Sequence, residues 1–394
     1  MSAPLAGIRI LDLSAVVSGP MATSMLCDQG AEVIKVEPPE GDLSRRIGPV
    51  KGDISAMFVT INRGKRSIVL DLKREPARAI LRDLVRQSDV LVENFRPGAM
   101  ARLGLDYASV SGLNPRLIYL SISGFGPTGP YAGGRVYDAV IQAVSGTAAM
   151  HRDPATQEPV LLASLVCDKL TALTAAQAIV TALYAREHTG RGQHIELSML
   201  DASLAFNWPD GMYNHSFIDE PPQATPDIGA GQKPWRTRDG FAATMSPQAD
   251  EFAALCKGLG LPELAADPRF STLPARRRNY EAMRALLEPA FAGRQSDEVI
   301  EALRAIGVPI GKVNERADVL ADPQVRHGRA VLEVDHGALG RVRQPRPAAR
   351  FHGHGDADLK PAPHLGADGR SVLRELGLDD AAIDGLIKAG ICRV

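Results

Sequence analysis

Short β-rich runs alternate with longer helical patterns through the first half of this 394-residue chain, and that alternation constrains its fold more than any other feature. Runs rich in β-branched residues predict strands at 8–13, 32–36, 67–71, 89–93, 117–123 and 194–198. Helical patterns between them predict helices at 20–29, 75–88, 137–145 and 169–187. Such alternation favours a parallel sheet covered by helices. The sequence therefore predicts a large α/β domain with a Rossmann-like parallel sheet.

The chain is longer than the usual length of a domain with a single hydrophobic core, so we expect more than one domain. A Pro-rich and Gly-rich stretch, 209–234, has the composition of a linker. A smaller α+β unit follows it, with helices predicted at 250–259, 280–292 and 296–306. Two short helices, 371–376 and 380–389, are predicted near the end. We expect a large domain over 1–209, a linker and small domain over 210–335, and a segment, 336–394, that returns to the large domain.

The charge balance excludes a strong field for nucleic acid or an acidic membrane, since 45 Lys and Arg face 46 Asp and Glu. An anionic ligand would need a local basic pocket. The chain start has no secretory pattern, and no apolar run reaches membrane-spanning length. The dispersed cysteines predict reduced thiols in the cytoplasm. His352 and His354 lie in a Gly-rich and Asp-rich loop that is typical of solvated surface, so we predict no metal site.

The turn around Gly19 admits two interpretations from its residues alone. A strand, a glycine, a helix and a second strand ending at Glu37 resemble a dinucleotide site. The stretch AVVSGP, however, offers a single glycine and lacks the GxGxxG fingerprint, which argues against a nicotinamide dehydrogenase. The plainer interpretation is a tight strand-to-helix turn, with Pro20 at the first helical position.

Five segments together resemble the class III coenzyme A (CoA) transferases. They are GIRILDLSAVVSGPMATSMLCDQGAEVIKVEPPEGD, INRGKRSIVLDLK, VENFRPGAMARLGLDY, NPRLIYLSISGFGPTGP and HTGRGQHIELSMLDA, in the order of that family. The family includes formyl-CoA and carnitine CoA transferases and α-methylacyl-CoA racemase. The resemblance implies acyl-CoA and a small carboxylic acid as substrates, no permanently bound cofactor, and an interlocked homodimer.

The resemblance also implies which residues hold CoA. Val16 and Ser18 match the family's CoA-contacting loop, and Lys73, Asn94, Phe95 and Arg102 match its other contacts. The phosphates of CoA need fixed cations or N–H donors, and Phe95 offers an apolar face to the adenine or the pantetheine arm. Taken alone, Lys73 and Arg102 are more typical of solvated surface charges than of ligand contacts, and the resemblance reverses this interpretation.

Asp168 matches the family's catalytic aspartate, which attacks the thioester and carries CoA as a covalent aspartyl thioester. It follows the apolar, strand-like run 160–167 and precedes the Ala-rich helix, so its residues alone predict a helix N-cap. Both roles are compatible. The short stretch Gly229–Gly231, within GAGQ, is a candidate for shielding the intermediate and equally for a plain linker.

Tyr137 and Arg135 bear on which family reaction is expected. A racemase of this family has histidine at the position of Tyr137, because proton exchange needs a base with a pKa near neutrality. Arg135 stands where some transferases have lysine. We assign both residues to the substrate pocket. The alternative interpretation is that Tyr137 is a core residue and Arg135 a surface residue. A CoA transferase is favoured over an acyl-CoA racemase or a non-catalytic acyl-CoA binding protein.

Overall fold

The computed structural model describes residues 2–153, 155–225, 233–353 and 359–393. It divides into two compact units: Met1–Pro209 with Gly328–Val394, and Asp210–His327. The chain thus rejoins the first unit at Gly328, before the predicted position 336. In that segment Leu339 packs with Ile54, Phe58 and Val59 of the first unit, which gives the returning chain a core of its own.

The strands of the described residues, in chain order, are β1 (Arg9–Asp12), β2 (Glu32–Glu37), β3 (Val50–Lys51), β4 (Ile54–Ser55), β5 (Arg66–Leu70), β6 (Val90–Glu93), β7 (Ile118–Ser123), β8 (His194–Ser198), β9 (Trp235–Arg236), β10 (Phe241–Thr244), β11 (Ile310–Lys312), β12 (Val331–Asp335), β13 (Arg341–Pro345) and β14 (Cys392–Arg393). The α-helices are α1 (Ser18–Cys27), α2 (Ala56–Ile61), α3 (Glu75–Arg86), α4 (Ala99–Leu103), α5 (Tyr107–Val110), α6 (Asp138–Val144), α7 (Thr147–Met150), α8 (Val166–Thr189), α9 (Met199–Gly211), α10 (Ala249–Leu259), α11 (Leu273–Arg278), α12 (Tyr280–Ala292), α13 (Ser296–Arg304), α14 (Pro323–His327), α15 (Gly369–Glu375) and α16 (Asp380–Lys388).

A seven-stranded sheet forms the centre of the first unit, in the order β14-β5-β2-β1-β6-β7-β8. Its strands pair in parallel except for β14, which adds the chain end antiparallel to β5. The predicted fold class, a large parallel-sheet domain with a smaller α+β unit, is confirmed. Successive strands leave β1 towards β2 on one side and β6 on the other, so a topological switch point lies between β1 and β6.

Both faces of this sheet are buried, because neighbouring residues of each strand point to opposite sides. Leu11 packs with α3, α15 and α16 on one face, whereas Ile10 packs with α1 and α8 on the other. Helix α8 is long and apolar enough to span a membrane by length and composition. However, half of its most apolar 18-residue stretch is buried inside the protein. That burial is typical of a core helix.

The second unit is built from a small antiparallel sheet, in the order β11-β10-β9, and helices α10 to α14. Phe252, Leu287, Phe291 and Leu303 are buried in its core. The predicted linker, 209–234, begins three residues early, since α9 continues through Pro209 to Gly211. Burial of Asn207, whose amide donates to Thr147 Oγ1 at 2.8 Å, anchors the end of that helix.

Candidate functional site

The loop after β1 lies at the switch point of the sheet and is fixed from two sides. The Asn94 side chain, just beyond β6, accepts the Ala15 N–H at 2.8 Å and donates to the Ala15 carbonyl at 2.8 Å. The Val16 N–H donates to Asp42 Oδ1 at 3.1 Å. Val16 has a φ of 70°, which is rare for a β-branched residue and implies backbone strain. The Asn94 side chain therefore positions the loop by bonding to the backbone of Ala15.

A buried network of charges lies beneath this loop. Lys35 Nζ pairs with Asp42 Oδ2 at 2.8 Å and donates to the Ser14 carbonyl at 2.9 Å. Lys65 Nζ pairs with Asp12 Oδ2 at 2.7 Å, and both side chains are fully buried. Burial alone would raise the pKa of Asp12, but Lys65 and Lys35 hold that pKa below its ordinary value. Sequence reasoning missed this network, although Asp12 and Lys65 both stand in segments that resemble the family.

Gly19 is the second residue of α1, where the backbone passes very close to Ser14. A Cβ at this position would lie 2.2 Å from Ser14 Oγ. Only glycine fits such an approach without movement of the loop. The single glycine of AVVSGP thus serves close packing of the loop against the helix start.

Asp168 lies in the first turn of α8, half-buried, and the backbone N–H of Ser18 faces its carboxylate. Burial and, to a smaller extent, the negative charge of Asp138 raise the pKa of Asp168 to about 6, against the opposing effect of the Ser18 N–H. The predicted N-cap role is wrong. The N-cap is Leu165, and Asp168 is the third residue of the helix, with no capping bond from its own side chain.

Asp138, which sequence reasoning missed, satisfies the helix start instead. Its Oδ1 accepts the Asp168 N–H at 2.9 Å, and its Oδ2 accepts from Gln142 Nε2 at 2.6 Å. Gln142 also accepts the Leu162 N–H at 2.8 Å. The predicted strand-like character of 160–167 is therefore wrong: side-chain bonds from α6 hold this stretch, and Val160 and Leu161 are exposed. The sequence signal that could have revealed the contact between these two side chains is an Asp and a Gln four residues apart in VYDAVIQ.

The other predicted residues are mostly exposed. Lys73 and Phe95 follow the carboxyl ends of β5 and β6 within three residues, whereas Arg102 lies in α4, which follows β6. Ligands of open α/β sheets bind outside these strand ends. Arg135 and Tyr137 are also exposed, in the chain leading to α6. Their assignment to ligand contacts stays a prediction.

Two sequence predictions fall wholly or partly outside the described residues. The stretch Gly229–Gly231, with the rest of GAGQ, lies outside them, and so does His354. Within 2–153, 155–225, 233–353 and 359–393, no group of three or more His, Cys, Asp or Glu side chains could hold a metal ion.

Comparison with known proteins decides the family. The family model described as CoA-transferase family III matches residues 5–369. The chain belongs to CoA-transferase family III. It is 37% identical to an acetyl-CoA:oxalate CoA-transferase of Acetobacter aceti, over 96% of this chain and 97% of that protein. It is 35% identical to the human succinyl-CoA:glutarate CoA-transferase, over 98% of this chain and 90% of that protein.

A solved structure gives the same relationship. The CAIB/BAIF family protein from Brucella suis superposes with a TM-score of 0.81 at 36% identity, covering 95% of this chain and 100% of that one. The resemblance noted in the sequence is thus confirmed, and the chain is a CoA-transferase.

Proposed function

We propose that this family III enzyme transfers CoA from an acyl-CoA to a carboxylic acid through covalent catalysis by Asp168. One observation carries the proposal. The Asp168 carboxylate lies in the first turn of α8 and faces the N–H of Ser18, the residue at which α1 begins after the loop at the sheet's switch point. It thus lies at the positive end of a helix, where a CoA thioester would bind.

The chemistry conserves one activated acyl bond at each step. Asp168 attacks the thioester carbonyl, which forms a mixed anhydride and releases the CoA thiolate. The thiolate attacks the aspartyl carbonyl, forms an aspartyl-CoA thioester and releases the donor acid. The acceptor carboxylate attacks that thioester, which forms a second anhydride and frees the thiolate again. Attack of the thiolate on the acceptor's acyl carbonyl then gives the new acyl-CoA and restores Asp168.

The pKa of Asp168 suits a nucleophile working near neutrality. With a pKa of about 6, roughly nine tenths of the carboxylate is ionised at pH 7. Desolvation also makes it more basic than an exposed aspartate, and a more basic carboxylate is a stronger nucleophile. The negative charge of Asp138 contributes to the raised pKa of Asp168, and its hydrogen bond fixes the Asp168 backbone.

Each tetrahedral intermediate carries an oxyanion that needs fixed donors. The Ser18 N–H already faces the Asp168 carboxylate and is the first candidate donor. We keep the backbone of Gly229–Gly231 as a second candidate. For CoA itself, we assign the phosphates to Lys73 and Arg102 and the adenine or pantetheine arm to Phe95, with the loop at Val16 against the thioester end.

We further propose that the acceptor is a short dicarboxylic acid. The support comes from the relatives, which are named for oxalate and for glutarate as substrates. Arg135 and Tyr137 are the assigned pocket residues, since an exposed guanidinium can bind the second carboxylate as a bidentate partner.

An exchange assay tests this function. Enzyme, an acyl-CoA panel and a panel of mono- and dicarboxylic acids are incubated in deuterium oxide, and mass spectrometry follows new thioesters and α-deuterium. We expect new thioesters with wild type and with Asp201→Asn, which alters an exposed first-turn aspartate of α9. We expect none above background with Asp168→Asn. Deuterium uptake without new thioesters would instead indicate a racemase, and binding without either would indicate a non-catalytic protein.

We also propose a cytoplasmic homodimer. Exposed apolar side chains on α6, α8 and α9 support the dimer, because monomers rarely expose such surfaces; they are Val140, Val144, Leu173, Val180, Tyr184, Phe206 and Trp208. Leu173, Val180 and Tyr184 share one face of α8 by their spacing. Sedimentation that shows a stable monomer at micromolar concentration would refute the dimer.

A further inference from the structure

A cavity of about 250 Å³ lies in the second unit, and the proposed transfer chemistry does not use it. Trp235, Phe252 and Met283 form part of its apolar wall. Lys233, Arg276 and Arg277 also line it. Among the described residues, no Asp or Glu lines this cavity. An apolar chamber with three cations in its wall and no acid is complementary to an organic anion.

Arg276 contributes a buried positive charge to the wall of this cavity. Its side chain is only 5% exposed, and it donates to the carbonyls of Phe270 at 3.0 Å and Pro247 at 2.7 Å. It also stacks over the Phe252 ring at 4.7 Å. Within the described part of the chain, no carboxylate forms an ion pair with it, and the negative charge of Glu251 acts on it only from a greater distance. Carbonyl dipoles solvate this guanidinium without neutralising it, so a ligand carboxylate nearby would be stabilised.

Further polar groups of the wall are available to a ligand. The side chains of Arg277 and Lys233 have no ion pair or hydrogen bond with the residues that the structure describes. The Ser246 hydroxyl is buried and has no hydrogen-bond partner among the same residues. Tyr280 Oη accepts the Lys233 N–H at 3.3 Å, a bond that does not use the hydroxyl proton. Such unpaired donors beside an apolar wall indicate a ligand with a polar head and an apolar body.

We propose that this cavity is a binding site for an organic monocarboxylate with an apolar tail. Its carboxylate lies against Arg277 and the positive field of Arg276, and its tail packs on Trp235, Phe252 and Met283. The volume, just below the usual range for drug-sized ligands, suits a body of about six carbon atoms. The site is independent of catalysis by Asp168.

Fluorescence of Trp235 provides the readout, since the chain has two tryptophans and Trp208→Phe removes the other signal. In that background, with CoA at saturation, we titrate sodium hexanoate, 1-hexanol and sodium acetate. Hexanoate is expected to change the emission saturably, at least tenfold more tightly than either 1-hexanol or acetate. Arg277→Gln is expected to weaken hexanoate binding about tenfold or more, because it removes a charge-assisted hydrogen bond. The exposed neighbour variant Arg278→Gln, the matched control, should bind as the parent does.

Three outcomes would overturn the proposal. One is the absence of saturable binding by hexanoate; a second is equal binding of hexanol and hexanoate, which would make the cavity a plain apolar void. The third is an equal loss of affinity in the Arg277 and Arg278 variants, which would indicate unspecific attraction of anions. Circular dichroism of each variant verifies that the second unit is folded.

Discussion

Asp138→Asn should move the acid limb of the pH-rate profile to lower pH. Asp138 is buried, and burial of Asp168 together with the negative charge of Asp138 raises the pKa of Asp168 to about 6. Asparagine has nearly the same shape but no charge, and its Oδ1 can still accept the Asp168 N–H. The variant therefore removes the electrostatic contribution while it keeps the bond to the backbone.

The magnitude follows from the sign and size of a like-charge interaction. A neighbouring carboxylate in a partly desolvated site raises a pKa by about one unit, or about 1.4 kcal/mol. Removing it lowers the pKa of Asp168 from about 6 towards its ordinary value, so more of the carboxylate is ionised in acid. At pH 5 the variant should retain roughly half of its plateau kcat/KM, against about one tenth for wild type.

The variant also has a structural cost that a control must separate. The introduced asparagine amide would face the Gln142 amide, donor against donor, where Asp138 accepts at 2.6 Å. We expect a loss of about 1–3 kcal/mol in unfolding free energy. Gln142→Ala disturbs the same contact but keeps the Asp138 charge, so it should lose stability with an unchanged acid limb. An unshifted limb in Asp138→Asn, or one moved to higher pH, would refute the electrostatic role of Asp138.

Three further predictions concern the loop, the buried charges and CoA binding. Gly19→Ala places a Cβ 2.2 Å from Ser14 Oγ and should cost about 1–3 kcal/mol in chemical denaturation, with reduced activity. Lys65→Met leaves the Asp12 carboxylate buried without its partner at 2.7 Å and should cost about 3–5 kcal/mol. Arg102→Ala should raise the KM for acyl-CoA about tenfold or more with kcat nearly unchanged, because a phosphate contact is lost in ground state and transition state alike.

Matched variants control each of these measurements. Gly112→Ala meets nothing within 4 Å and should be nearly neutral. Arg86→Ala breaks an exposed pair with Asp83 and should cost less than about 1 kcal/mol. Lys388→Ala removes an exposed cation of α16 and should leave the KM unchanged. An equal effect in test and control variants would contradict the corresponding prediction.

The fold was largely predictable because each element carries its own local pattern. The strand at His194–Ser198 and the helix at Tyr280–Ala292 have the bounds that their residues predict. Both begin and end where the hydrophobic period changes. The linker was harder, since Pro209 is a breaker by type yet lies inside α9. The anchor of that helix end, Asn207 bonded to Thr147, is a contact between residues distant in sequence.

The residues of the site were predictable from the sequence only where they lie in a motif that resembles the family. Asp168 was found by resemblance, but its place in the helix was not, because the group that satisfies its N–H belongs to Asp138, thirty residues earlier. The ion pair of Asp12 with Lys65 likewise joins two segments that are far apart in sequence. No single-sequence period encodes such pairs, and the folded sheet brings them together.

Covalent trapping tests the central claim most directly. Wild-type enzyme is incubated with an acyl-CoA, quenched with hydroxylamine or borohydride, digested and mapped by mass spectrometry. We expect the modification on the peptide that contains Asp168 and at that residue, dependent on acyl-CoA. Asp168→Ala should show no modification and lose turnover by about a thousandfold or more, with CoA still bound. A label on another residue, or a few per cent of wild-type turnover in Asp168→Ala, would contradict nucleophilic catalysis by Asp168.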